Sequence, residues 1–247
     1  MMAREPDRRV VVFAGPSIAP AARPAHARLT WRPPAMAGDG LELLADPPGA
    51  VVLIDGFFDE HPAIRHKELL ALMGEGVAVF GAASMGALRA AELHVHGMVG
   101  VGRIFEAYRD RRLVRDDEVA VLHGPAEVGW AALSEPLVNV RATLVQAVRQ
   151  GVIGVAIARR ALDAARSTFY PERSWLGLVA ELSGGGAQAE IRALEHWLPA
   201  GRVDLKRLDA EACIQAALKA PAGRHMPSPP ATLFTAELAR RRGFPLA

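Results

Sequence analysis

Four short segments carry the residues whose types and spacing suggest chemistry: Gly15-Pro16-Ser17, Asp55-Gly56-Phe57-Phe58, Ala82-Ala83-Ser84-Met85-Gly86 and His123-Gly124-Pro125. Together they offer a hydroxyl, a carboxylate, an imidazole and several glycine-flanked backbone amides. Acyl transfer needs these parts: a nucleophile, a base and donors for an oxyanion. Ser84 is the most suggestive residue. It lies in A-A-S-M-G, between the apolar run VAVFG and the helix-forming run SMGALRAAEL (residues 84–93). A hydrolase nucleophile elbow, G-x-S-x-G, occupies the same strand-to-helix context, although Ala82 stands where the first glycine would be. Serine is also a good helix N-cap, and the residues alone favour that bland role.

The other candidates divide in the same way. Asp55 ends an apolar run, where it orients a base or forms a turn with Gly56. His66 precedes Leu69 and Leu70 by three and four residues. It therefore leans toward a buried stripe, as a general base or as a satisfied core histidine. His123 sits in a Gly-Pro loop, and loop residues at such an edge are more often functional than core ones. Asp116-Asp117-Glu118 has the donors for hydrated Mg²⁺, but a solvated turn explains it better. His94 and His96, two apart on a helix, point to different sides and make a poor metal pair. No GxGxxG or GxxxxGK[ST] occurs, which leaves nucleotide binding with little support.

Parallel strands are expected to position these groups. Residues 8–15 (RRVVVFAG), 51–56 (VVLIDG) and 77–81 (VAVFG) are apolar throughout rather than alternating, as strands covered on both faces are. A helix beginning near Pro62, with Leu69, Leu70 and Met73 on one stripe, completes a βαβ unit between the last two. Residues 118–122 (EVAVL) read as a fourth strand, 97–102 (GMVGVG) as a loop, and 19–46 as one helix with irregular flanks. In an open parallel sheet, ligands bind at the carboxyl ends of the strands. That rule brings all four segments to one crevice. A long amphipathic helix carrying Leu137, Val140, Leu144 and Val148 breaks at Gly151. Helical stretches follow at about 154–166, 174–182, 187–197, 209–218 and 231–242. The expected architecture is α/β: a Rossmann-like, doubly wound parallel sheet in an N-terminal domain (8–150), followed by an all-helical region (151–247) that serves as lid or partner interface.

Composition bounds the function. At 247 residues and 51% hydrophobic, the chain can bury a sizeable core and is not disordered. The longest nearly uncharged apolar run is about 13 residues, short of the roughly 20 a membrane span requires. The charged start MMAREPDRR is unlike a signal peptide, so a cytoplasmic location is expected. A single cysteine, Cys213, makes neither an internal disulfide nor a cysteine-based metal site. The 29 basic residues nearly balance 27 acidic ones, and no dense basic patch suggests nucleic acid. Only Lys67, Lys206 and Lys219 among those bases are lysine, which draws attention to Lys67 in mid-helix.

Several motifs occur in order: FAGPS (13–17), IDGFF (54–58), HKELL (66–70), GAASMGALRAAEL (81–93), GMVGVGRIFEAYRDRRL (97–113), DDEVAVLHGPAE (116–127) and SEPLVNVRATL (134–144). Over about 10–150 the chain resembles the TfuA-like core protein family. That resemblance implies a partner of a YcaO enzyme in ribosomal peptide maturation, where a backbone amide becomes a thioamide. The YcaO enzyme would use the ATP, and no cofactor is expected on this chain. The resemblance further implies that the protein recruits and hydrolyses a thiocarboxylated, ubiquitin-like sulfur carrier of the ThiS type. Ser84 is then nucleophile or water-orienting hydroxyl, His66 or His123 the base, and Asp55 its orienter. Gly15, Ser17, Lys67, Met85, Gly86 and Arg89 are the candidates for holding substrate, with amides near 84–86 as oxyanion hole. The other reading is a non-catalytic adaptor or allosteric activator that docks the sulfur donor or precursor peptide on YcaO. An Ala-rich helical tail offers an interface for YcaO or a second copy. One cysteine rules out a two-cysteine persulfide relay within the chain and points to Cys213 as packing.

Overall fold

The structure, a computed structural model, describes residues 9–57, 61–184 and 186–220. Five parallel strands form one sheet: β1 (Val10–Phe13), β2 (Leu29–Arg32), β3 (Ala50–Leu53), β4 (Ala78–Gly81) and β5 (Val99–Gly100). Their order is β2-β1-β3-β4-β5, the doubly wound order of flavodoxin-like sheets. The chain leaves β1 toward one edge and returns past it to the other. The switch point therefore lies between the carboxyl ends of β1 and β3. The expected α/β sheet followed by helices is the observed architecture.

Three differences from the expected elements have physical reasons. Residues 29–32 (LTWR), expected within a helical stretch, pair with β1 in register, Val10 opposite Leu29. As an edge strand, β2 is only partly buried and lacks the continuous apolar run of a central strand. Residues 97–102, expected as a loop, contain the two-residue β5, which pairs Val99 with Phe80. Residues 118–122, expected as a strand, join no sheet. They run from a 3₁₀ turn (Asp116–Glu118) toward an isolated bridge between His123 and Ala132. Val119 and Ala120 are nevertheless buried, because this segment roofs the crevice at the strand ends.

Alternating side chains send the strands' two faces into two cores. Val11, Phe13, Val51, Leu53 and Val79 pack under α1 (Asp39–Leu43), α2 (His66–Gly74), α3 (Met85–Leu93) and α4 (Arg103–Arg109). Val10, Val12, Val52, Ile54 and Phe80 face the other way, against Ala210, Cys213, Ile214 and Ala217. Those four belong to α9 (Leu205–Lys219), the last described helix. Between the two regions stands α5 (Leu137–Arg149), whose Val138 joins the sheet core while Leu137, Val140 and Leu144 join a third. That third core is completed by α6 (Val155–Ser167), α7 (Trp175–Ser183) and α8 (Gln188–Gly201). The expected helix at 231–242 lies outside the described residues, as does Phe58.

Asp209 fastens α9 to the start of α4. Its carboxylate accepts the Ile104 amide at 2.8 Å, capping the start of α4. The residue before that helix, Gly102, has φ +93°, and a Cβ there would sit 2.2 Å from the Asp209 carboxyl carbon. Only glycine permits both that conformation and that approach.

Candidate functional site

The turn from β4 into α3 is sharp. Ala83 adopts φ +65°, a left-handed conformation that costs a residue with Cβ on the order of 1 kcal/mol. Ser84 follows at the N-cap position of α3, yet its side chain makes no capping hydrogen bond. It is 3% exposed and lines a crevice of about 60 Å³. Gly86 brings the helix hard against β3, where a Cβ would fall 1.8 Å from the Leu53 carbonyl oxygen. The amides of this turn are largely committed: Ser84 N–H donates to Ala82 O at 2.8 Å, and Gly86 N–H to Ile54 O at 3.1 Å. Met85 is buried, its side chain against Gly56.

Asp55, at the end of β3, stands across the switch point and is 1% exposed. One carboxylate oxygen accepts Gly15 N–H at 2.8 Å and Ser17 N–H at 3.0 Å. The other accepts the Ser17 hydroxyl at 2.6 Å. These charge-assisted bonds fold the loop after β1 around the carboxylate. Neither histidine is among its partners in the described residues. The same crevice is lined by Pro16, Gly56, Phe57, Val119, Leu122, His123 and Tyr170. All four segments with chemical potential therefore contribute to one small space, with the 118–122 segment as its roof.

The two candidate histidines differ in position. His123 lines the crevice, its ring centroid 5.8 Å from that of Phe57. Its Nδ1 lies 2.9 Å from Gly124 O. A carbonyl only accepts, so Nδ1 carries the proton, and in the neutral ring Nε2 is the acceptor. His66 begins α2 with its side chain 44% exposed, Nε2 at 2.6 Å from Glu92 Oε2. The buried polar group of HKELL is instead Glu68, which accepts amide bonds from Gly38, Gly40 and Arg65. Burial pushes the Glu68 carboxyl above its ordinary range, opposed by those amide bonds. Arg89 is engaged by Ile64 O and Glu92. Neither His66, Lys67 nor Arg89 lines the crevice.

In the acidic turn 116–118, Asp117 and Glu118 are paired with arginines. Arg115 grips Asp117 with two bonds, at 2.9 and 2.7 Å. Arg141 holds Glu118 with two more, at 2.8 and 2.7 Å. Cys213 is fully buried under the sheet, and burial drives its thiol well above the ordinary range.

One group escaped the sequence reading. Lys206, in the first turn of α9, is 3% exposed. Its Nζ donates to Val119 O at 2.8 Å and lies 4.0 Å from Asp55 Oδ1. Burial lowers its pKa, with Asp55 pulling the other way. The scarcity of lysine is a signal that fits Lys206 as well as Lys67.

The TfuA-like protein family matches residues 55–174, a span that opens at Asp55 and includes Ser84 and His123. Residues 55–174 are thus TfuA-like. No match was found among curated proteins. The TfuA-like match leaves out Gly15 and Ser17 before it and Lys206 after it, so the geometry alone ties those residues to the site. Among the described residues, no helix of the chain is long and apolar enough to cross a membrane.

Proposed function

We propose that this TfuA-like protein is the sulfur-delivery partner of a YcaO enzyme in peptide backbone thioamidation. It hydrolyses the thiocarboxylate of a ThiS-type carrier and releases sulfide, while YcaO spends the ATP. Its family is linked to such YcaO partners. The carrying observation is the switch-point crevice, whose walls include both a buried serine hydroxyl without a capping bond and the His123 ring.

In this mechanism Ser84 Oγ attacks the thiocarboxyl carbon, and His123 accepts the hydroxyl proton. An acyl-serine forms and the C–S bond breaks, with His123 passing the proton on to the sulfur, which leaves as hydrosulfide. Water then attacks the ester and returns a carboxylate to the carrier with one proton released, so the sum is thiocarboxylate plus water giving carboxylate plus H₂S. Met85 N–H, beside the committed amides of Ser84 and Gly86, is the donor for the oxyanion. Asp55 shapes the loop carrying Gly15 and Ser17 rather than orienting the base. The α/β region supplies the reacting groups, and the helical region after about residue 150 offers the surface for YcaO, a precursor peptide or a second copy.

The adaptor reading has its own support: the crevice is small, and Ser84 and His123 share no hydrogen bond in the described residues. Incubation of purified protein with carrier thiocarboxylate, without YcaO, separates the two. Sulfide release above buffer, lost in His123→Gln and kept in His66→Gln, supports hydrolysis with His123 as base. No release leaves the adaptor.

A further inference from the structure

Adjoining the crevice is a larger cavity of about 450 Å³. Pro16 and Val121 belong to the walls of both spaces. Lys206 lines the large one and Asp55 the small one, so their 4.0 Å contact forms part of the partition. The mouth carries Leu176 and Leu133, 81% and 62% exposed, together with Arg202.

Two of the lining side chains are deeply buried cations. Arg173 is 0% exposed and Lys206 3%. Both hydrogen-bond to neutral carbonyls: Arg173 to Ala165, Glu135 and Thr168, and Lys206 to Val119. Among the described residues neither cation hydrogen-bonds to a carboxylate, and each has an acid only at the outer limit of ion-pair distance. The nearest acid to Arg173 is Asp117, at 3.9 Å, and that group is already gripped by Arg115. The nearest to Lys206 is Asp55, whose oxygens are occupied by Ser17 and two amides. The same molecule pairs Arg141 with Glu118 by two short bonds, which shows what a neutralised cation looks like here. Burying a charge without a contact partner is costly unless something else compensates it. Lys206 has three donors and uses one on Val119.

We propose that this cavity binds the carboxylate end of an extended peptide, with Lys206 as the principal counter-charge and Arg173 as the second. This rests on reading the protein as acting on a terminal acyl group, and it names the chemistry that recognises that end. The charge balance favours a single negative charge. Three basic side chains, Arg173, Arg202 and Lys206, line the cavity with two acidic ones, Glu135 and Asp204. A phosphate dianion would overload that excess of one. Burial lowers the pKa of both Lys206 and Arg173, in keeping with cations held short of compensation. A cation here also serves the chemistry, because it offsets the repulsion between an anionic thiocarboxylate and an incoming oxyanion.

The test is calorimetric titration of the full chain with acetyl-triglycine bearing a free carboxylate, and with the same peptide as its carboxamide. The carboxylate is expected to bind at least tenfold more tightly in the wild type and in Ser84→Ala. That preference should fall below about twofold in Lys206→Met. Should Lys206→Met fail to fold, Leu176→Asp at the exposed mouth serves instead, weakening the carboxylate peptide several-fold and leaving the carboxamide unchanged. Equal affinity for both peptides, or tighter binding of inorganic phosphate than of the carboxylate peptide, overturns the proposal. Because Ser84→Ala binds without turning over, loss of sulfide release and loss of carboxylate recognition are read separately.

Discussion

The two faces of the sheet are covered in different ways. One is packed by α1, α2 and α3, which lie between successive strands in the chain, and by α4, which follows β5. The other is closed by α9, which returns to Val10 and Val12 from Ala210, Cys213, Ile214 and Ala217 near the far end of the described chain. The first face gives the sheet its crossovers and the β4–α3 turn that presents Ser84. The second brings Lys206 against Val119 and Asp55. A site built on the α/β region is thus finished by the helical one, and a lesion in α9 should reach the crevice.

The most severe way to break that relation is to place a charge under the second face. Ile214→Asp buries a carboxylate at a fully enclosed position, and loss of soluble folded protein is expected. Circular dichroism of the purified variant checks it; a native spectrum with unchanged melting would show that α9 is dispensable to the sheet. Next in size are cavity mutants on opposite faces. Leu72→Ala in α2 and Ile214→Ala in α9 are each expected to cost about 2–5 kcal/mol in urea unfolding. Comparable losses mean equal shares in one cooperative core. A much smaller loss at Ile214 would make α9 a loosely docked cover.

A smaller effect concerns pH. Burial lowers the pKa of Lys206, so the folded state binds fewer protons than the unfolded state as pH falls below the ordinary lysine value. The stability this group contributes is full above that value and is lost as pH falls through the lowered pKa. As pH falls below the ordinary lysine value of about 10.4, the wild type should therefore lose stability relative to Lys206→Met. Parallel unfolding midpoints across that range would contradict it. The smallest effect is expected at His66, whose pairing with Glu92 is half exposed. His66→Gln should shift unfolding by less than about 1 kcal/mol, and a larger shift would give the α2–α3 surface a structural weight it does not show.

The same contrast explains what the sequence made legible. β1, β3 and β4 are central strands with continuous apolar runs, and their carboxyl ends, with the roofing loop, locate Ser17, Asp55, Ser84 and His123. β2 and β5 are short edge strands with little burial and left no pattern to read. The 118–122 run is apolar because it roofs the crevice, and burial without strand pairing has the same composition as a strand. His66 seemed to lean inward because its spacing matches Leu69 and Leu70, but Glu68 fills the buried polar position with three amide bonds. Lys206 was beyond reach for a different reason. Its partners, Val119 and Asp55, are far away in sequence, and no local pattern reports that α9 folds back.

The central claim is that Ser84 in the switch-point crevice performs acyl transfer on a carrier thiocarboxylate. The direct measurement is the rate of sulfide release by Ser84→Ala in the absence of YcaO, with folding verified by urea unfolding. A loss of at least about 100-fold at unchanged stability is predicted, the scale expected when a group acting in the transition state is removed. Release at the wild-type rate from a folded Ser84→Ala protein would contradict the account.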